Sequence, residues 1–198
     1  MLGLHCDADP QWCQIVLQQV ALHLDSLQMV NPKQQHLDVV KQMPNLSGLS
    51  LNNVTGEQLQ VVSQMASLRR LELHCRLDAP LPLLTFPATA ARLRWLRCGV
   101  HPLATGLALV RAAEDSLEEL QLVAASTEPY GCRDLALQLQ RCRPKKLKRM
   151  VLLRGDAYGE FCRHDEGSCK KQIQGISCAF GQSGLVVDVI CNFCESDL

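Results

Sequence analysis

One leucine pattern, repeated six times, constrains this chain more than any other feature. Its form is L-x-x-L-x-L, with Met or Cys replacing some leucines. It occurs at Leu24/Leu27/Met29, Leu46/Leu49/Leu51, Leu68/Leu71/Leu73, Leu93/Leu96/Cys98, Leu117/Leu120/Leu122 and Leu147/Met150/Leu152. The first anchors stand at 24, 46, 68, 93, 117 and 147, so the intervals are 22, 22, 25, 24 and 30 residues. The last two anchors of each segment are two residues apart, which is the side-chain period of a strand. A unit this short cannot bury its own apolar face and must stack on copies of itself. Leucine supplies 34 of the 198 residues against 8 aromatics, so the core of such a stack is aliphatic. The longest interval holds Thr127-Glu-Pro-Tyr-Gly-Cys132, which reads as an extended loop.

Between these segments the pattern changes to helix. Lys33 to Met43 carries Leu37, Val39 and Val40 on one stripe and ends at Pro44. Thr55-Gly-Glu-Gln58 has the form of a capping box, in which the threonine hydroxyl accepts an early backbone N–H and Gln58 reaches back. The helix it opens runs through Leu59, Val62 and Met65. Leu103 to Ala113 and Cys132 to Cys142 occupy the same slot in later units. Each helix stops just before the next strand, at Met43-Pro-Asn-Leu46, Met65-Ala-Ser-Leu68 and Cys142-Arg-Pro-Lys-Lys-Leu147.

The segments Leu68-Arg-Arg-Leu-Glu-Leu-His-Cys75 and Cys142-Arg-Pro-Lys-Lys-Leu147 resemble the cysteine-containing leucine-rich repeats of F-box proteins. The period in the twenties is that of leucine-rich repeats in general. The resemblance covers residues 1–154 and implies an α/β solenoid, curved, with a parallel sheet on the concave face and helices on the convex face. Residues 155–198 then form a Cys-rich C-terminal cap or tail. No F-box-like segment with Leu-Pro and a spaced Trp precedes the repeats. Leu2-Gly-Leu4-His-Cys6 already reads as the tail of a repeat strand, with Leu2 one period before Leu27. An array that opens inside a strand lacks the polar cap of a solenoid end, and the expectation is a chain missing its N-terminal part.

The x positions of each segment point away from the leucine core. They are Asp25, Ser26, Gln28; Ser47, Gly48, Ser50; Arg69, Arg70, Glu72; Arg94, Trp95, Arg97; Glu118, Glu119, Gln121; and Lys148, Arg149, Val151. Parallel strands lie about 4.8 Å apart, so equivalent positions form lateral rows. One row is Arg69, Arg94, Glu118 and Lys148; another is Arg70, Trp95, Glu119 and Arg149. Arg and Trp are enriched in binding hot spots, which makes this face the expected site for a protein or peptide partner, centred on Trp95 with Arg70, Arg94 and Arg97. Cross-strand Arg–Glu pairing on a solvated face is the competing account, and such pairs contribute only about 0–1 kcal/mol.

Residues 154–184 contain no leucine. Cys162, His164, Cys169 and Cys178 lie here, followed by Cys191-Asn-Phe-Cys194. Zinc takes four Cys or His ligands, commonly paired at short spacing. Only Cys191 and Cys194 make an acceptable pair, so buried and loose thiols are the reading taken and no metal or other cofactor is assigned. Arg154-Gly-Asp156 reads as a turn, and Leu185 to Ile190 as a last strand. The run Arg141 to Arg149 holds six basic residues at a helix C-terminus, where the dipole favours cations.

Twenty basic and twenty acidic side chains balance, which argues against nucleic-acid binding. No apolar run is long enough to span a membrane, and the N-terminus has no basic region of the secretory type. The eleven scattered cysteines are read as reduced thiols of the cytoplasm or nucleus. The sequons at Asn45 and Asn53 are then chance matches. No phosphate loop, G-x-S-x-G or H-E-x-x-H is present, and the six histidines occupy unrelated positions, so no catalysis is expected. His74 and Cys75 are adjacent on a strand and point to opposite faces. The resemblance implies a non-enzymatic interaction module, the substrate-recognition part of an F-box (SCF-type) ubiquitin ligase subunit. Its F-box, missing here, would hook a Skp-type adaptor. The alternative is a stand-alone repeat scaffold or inhibitor in the manner of ribonuclease-inhibitor-like proteins.

Overall fold

A computed structural model describes residues 1–74, 82–86, 92–99, 102–123, 134–154 and 165–194. In chain order the elements are β1 (Leu2–His5), α1 (Pro10–Val20), β2 (Ser26–Val30), α2 (Gln34–Val40), β3 (Gly48–Asn52), α3 (Gly56–Ser63), β4 (Arg70–His74) and β5 (Trp95–Gly99). They continue with α4 (Leu103–Ala112), β6 (Glu119–Val123), α5 (Leu135–Cys142), β7 (Arg149–Leu153), α6 (Glu166–Gln182) and β8 (Asp188–Cys191). The chain is an α/β protein with one eight-stranded sheet. Every neighbouring pair is parallel and the spatial order equals the sequence order.

An in-order parallel sheet advances by one strand at each connection, and crossovers of uniform right hand put their helices on one side. Accordingly α1 packs on α2, α2 on α3, α4 on α5 and α5 on α6. The leucine pattern becomes two continuous buried rows between the sheet and the helices. The first runs Leu27, Leu49, Leu71, Leu96, Leu120, Met150 and Val189. The second runs Leu4, Met29, Leu51, Leu73, Cys98, Leu122, Leu152 and Cys191. Register is strongly specified because a slip by one residue would turn both rows outward.

Three polar latches tie the starts of α2, α3 and α4 to the segments before them. His36 Nε2 contacts the Pro10 carbonyl at 2.9 Å while its Nδ1 accepts from the Lys33 amide at 3.0 Å. Gln58 completes the capping box, its Oε1 accepting from the Thr55 amide at 2.9 Å, and its Nε2 donates to the Pro32 carbonyl at 2.8 Å. Thr105 Oγ1 donates to the Pro82 carbonyl at 3.0 Å. His36, Gln58 and Thr105 are all buried, so each lost latch leaves a carbonyl without its donor. Gln58→Ala should cost about 1–3 kcal/mol in urea unfolding. Gln58→Glu should keep the cap and lose the latch, and a Gln58→Glu variant as stable as the wild type would discount the latch.

Helices α2 to α5 lie where the stripes predict them, with ends shortened by a few residues. Residues 132 and 133 of the predicted helix 132–142 are outside the described residues, as are Cys75, Cys162, His164 and the loop at 127–132. Two helices go beyond the sequence reading. Asp9 caps α1, its carboxylate accepting from the Trp12 amide at 2.9 Å, with Pro10 opening the first turn. The helix α6 rises from residues read as tail and is capped by Asp165 on the Ser168 amide at 2.7 Å. Its apolar stripe is Cys169, Ile173, Ile176 and Phe180, a helical spacing without leucine. The last strand is also shifted C-terminally from 185–190, because Cys191 takes the anchor place beside Leu152. Through β8 and the packing of α6 on α5, residues 165–194 continue the sheet and the helix layer.

Candidate docking face

The sheet face opposite the helices presents the alternate residues of each strand. Across β2 and β3 these are Ser26, Gln28, Gly48 and Ser50, small and neutral. Charge and aromaticity begin at β4. The register aligns Arg70, Trp95, Glu119, Arg149 and Asp188 in one row, and Glu72, Arg97, Gln121, Val151 and Ile190 in the next. At the β7–β8 end the second row turns apolar, and Val151 and Leu153 are buried.

Trp95 is held on both sides. The Arg70 guanidinium lies 3.6 Å from the ring centroid, a cation–π contact. Trp95 Nε1 donates to Glu119 Oε1 at 3.0 Å, and the same oxygen accepts from Gln121 Nε2 at 2.7 Å. The ring is therefore partly buried and fixed in orientation. Arg70 itself is exposed, and its planar fork suits a carboxylate.

Beside it lies a second cluster. Glu72 Oε1 is 3.2 Å from Arg97 Nη1 and 2.9 Å from His74 Nε2. With side-chain exposures of 26% and 22%, the Arg97–Glu72 pair is shielded enough to hold a fixed geometry. His74 is the residue that pattern reading leaves out of the face. The strands run one residue past the second leucine, so Asn52, His74, Gly99, Val123 and Leu153 form a third row that the L-x-x-L-x-L motif does not contain. Period-two extension from Glu72 is the signal that could have found it.

The row at 69, 94, 118 and 148 lies just before the strands, along the sheet margin. Arg69 does not join it: its Nη1 turns back to the carbonyls of Ala66, Ser67 and Leu68, closing the turn after α3. Glu118 sits between Lys148, at 2.8 Å, and Arg94, at 3.8 Å. The Lys148 hydrogen bond and charge hold its carboxyl below the usual range. These groups are largely solvated, so the pairs contribute little to stability. Arg149 approaches Asp188 at 4.0 Å. The structure thus gathers Arg70, Glu72, Trp95, Arg97 and Glu119 into one plateau, and leaves Arg94, Glu118, Lys148 and Arg149 at its solvated borders.

A separate group of side chains lies at the C-terminal end of the sheet. The sulfurs of Cys169, Cys191 and Cys194 are all within 4.8 Å of one another. The Cys191 thiol is pushed down to about 4, first by the hydrogen bond from Cys169, then by the amides of Cys194 and Phe193 and the charge of Arg154. The same Cys169 bond to Cys191 raises the Cys169 thiol. No disulfide joins the described cysteines.

Comparison of the chain with family models, curated proteins and solved structures gives no match. The fold defines a class of architecture: an in-order parallel α/β sheet with a chemically graded face opposite the helices. Among the described residues no helix is long and apolar enough to cross a membrane.

Proposed function

We propose that this chain is a leucine-rich-repeat solenoid whose open sheet face docks a protein or peptide partner, without catalysis. The observation that carries this reading is the clamped Trp95. An indole fixed between Arg70 and Glu119, on a face with no helix over it among the described residues, is a preorganised anchor, and little ordering entropy remains to be lost on binding. Arg and Trp together are the side chains that most often dominate binding energy. The neighbouring Arg97–Glu72–His74 cluster adds fixed donors and acceptors. The recipient is an extended segment with at least one carboxylate for Arg70.

The resemblance to F-box leucine-rich-repeat proteins makes substrate recognition within an SCF-type ubiquitin ligase the leading biological setting, in the cytoplasm or nucleus. Affinity capture from cells, with the tagged full-length protein and with its Trp95→Ala variant, tests both levels. Recovery of a Skp-type adaptor and cullin supports the ligase setting. Their absence, with another protein captured in a Trp95-dependent manner, makes this a stand-alone scaffold. Trp95→Ala should keep the melting temperature within a few degrees, since a partly exposed cation–π contact contributes about 0.5–1 kcal/mol, while partner capture drops at least tenfold. Capture undiminished by the substitution would remove Trp95 from the interface.

A further inference from the structure

We infer that Cys169, Cys191 and Cys194 form a zinc-binding site that fastens α6 to the end of β8. The three residues come from different local structures. Cys169 is in the first turns of α6, Cys191 ends β8, and Cys194 lies in the turn that follows. Their sulfurs nevertheless converge within 4.8 Å, and those of Cys169 and Cys194 are 3.8 Å apart. With zinc–sulfur bonds of about 2.3 Å and tetrahedral angles, sulfurs sharing one zinc are separated by about 3.8 Å. One pair is already at that distance, and the third sulfur needs a shift of no more than about 1 Å, which a thiol rotamer or the terminal turn can supply. A disulfide joins two sulfurs. Three converging ones suit a metal.

The surroundings fit a site that carries negative charge. Arg154, which directly follows β7, is 2% exposed, and its guanidinium acts electrostatically on both Cys169 and Cys191. Its Nη2 donates to Gln172 Oε1 on α6, while Nε finds no hydrogen-bond partner among the described residues. A buried guanidinium requires compensating charge. Zinc held by three thiolates has a net charge of −1, which the arginine offsets. The backbone amides of Phe193 and Cys194 favour the charged form of the Cys191 sulfur, the kind of outer support that orients a metal-bound thiolate. Asn192, between the ligands, is pinned by two bonds to the Arg154 backbone, Oδ1 accepting from its amide at 2.6 Å and Nδ2 donating to its carbonyl at 2.9 Å. The turn is thereby held in place from outside the sulfurs.

On binding, each thiol that is still protonated releases its proton to solvent as a sulfur lone pair enters the metal, and no electron changes hands. Zinc, rather than a harder cation, follows from the all-sulfur donor set. The site would brace β8, the last strand of the sheet among the described residues.

The test uses the full chain, purified reduced and without chelators. Elemental analysis should find about one zinc per chain, and Co²⁺ added to the metal-free protein should produce sulfur-to-cobalt charge-transfer absorption with tetrahedral visible bands. Cys194→Ser, at a partly exposed position, should lower zinc affinity at least tenfold and weaken those bands. Cys178→Ser, on the exposed side of the same helix, should leave both unchanged. The proposal falls if the fully reduced wild type gives no cobalt–thiolate bands. It also falls if Cys194→Ser binds zinc like the wild type, or if the protein from cells lacks two titratable thiols through a Cys169, Cys191 or Cys194 disulfide. Should Cys194→Ser fail to fold, the wild-type cobalt titration decides alone.

Discussion

Leu71→Ala should lower the unfolding free energy by about 2–5 kcal/mol, with the result in the upper half of that range. Leu71 is 1% exposed in the centre of the first buried row, with Leu49 on one side and Leu96 on the other. Truncation costs most where neighbours cannot close in. Here the backbones of β3 and β5 are tied to β4 by ladder hydrogen bonds and cannot follow the lost side chain. A small void lined by Val62, Met65, Leu68 and Leu109 already adjoins Leu71, so the new cavity merges with existing empty space. Urea unfolding of wild type, Leu71→Ala and Leu71→Met would measure this. The methionine variant keeps the volume and should lose less than about 1.5 kcal/mol. A loss below about 1 kcal/mol for alanine would show that the row is not packed as described.

Arg154→Ala should be comparably damaging, at about 3–5 kcal/mol, because it removes one member of a buried charged network and leaves the rest in place. Gln172 Oε1 loses its donor, and the sulfur cluster loses its compensating cation. The backbone bonds between residue 154 and Asn192 survive the substitution. The damage is thus specific to the side chain. Arg154→Lys should recover only part of the loss, since a single ammonium cannot reproduce the planar fork. Thermal melts of the three proteins at one pH give the comparison. A lysine variant as stable as wild type would mean that charge alone matters there, and an alanine variant as stable as wild type would mean the network contributes nothing.

The two buried residues also mark where sequence reading succeeds and where it stops. Leu71 belongs to a pattern with a period, and periodic burial is visible along a chain: the two leucine rows and the positions of Arg70, Trp95 and Glu119 in one lateral row all follow from alternation and from stacking. The capping box at Thr55 is legible because its two partners are three residues apart. Arg154 belongs to no pattern. Its partners Gln172 and Asn192 are 18 and 38 residues away, and only packing selects them.

The same division runs through the docking face. Which residues leave the core is readable, but where their side chains go is not. Arg69 and Arg70 are adjacent and chemically identical, yet one turns onto carbonyls of its own turn and the other stacks on Trp95. The choice depends on which carbonyls the turn after α3 leaves open and on an indole 25 residues ahead, aligned by the β4–β5 register. At the C-terminus the leucine signal ends, and a 17-residue helix built on Cys169, Ile173, Ile176 and Phe180 lies within residues that read as tail. That helix carries Cys169 to Cys191 and Cys194 across 22 and 25 residues of sequence.

What the sequence determined by itself was the alternation of strand and helix, the two buried rows and the outward positions, because these depend on local periods of two and 3.6 residues. The tertiary structure alone decided the Trp95 clamp, the Glu72 cluster, the buried Arg154 and the meeting of three sulfurs. Each of these joins side chains by distance in space, and a linear pattern holds no measure of that distance.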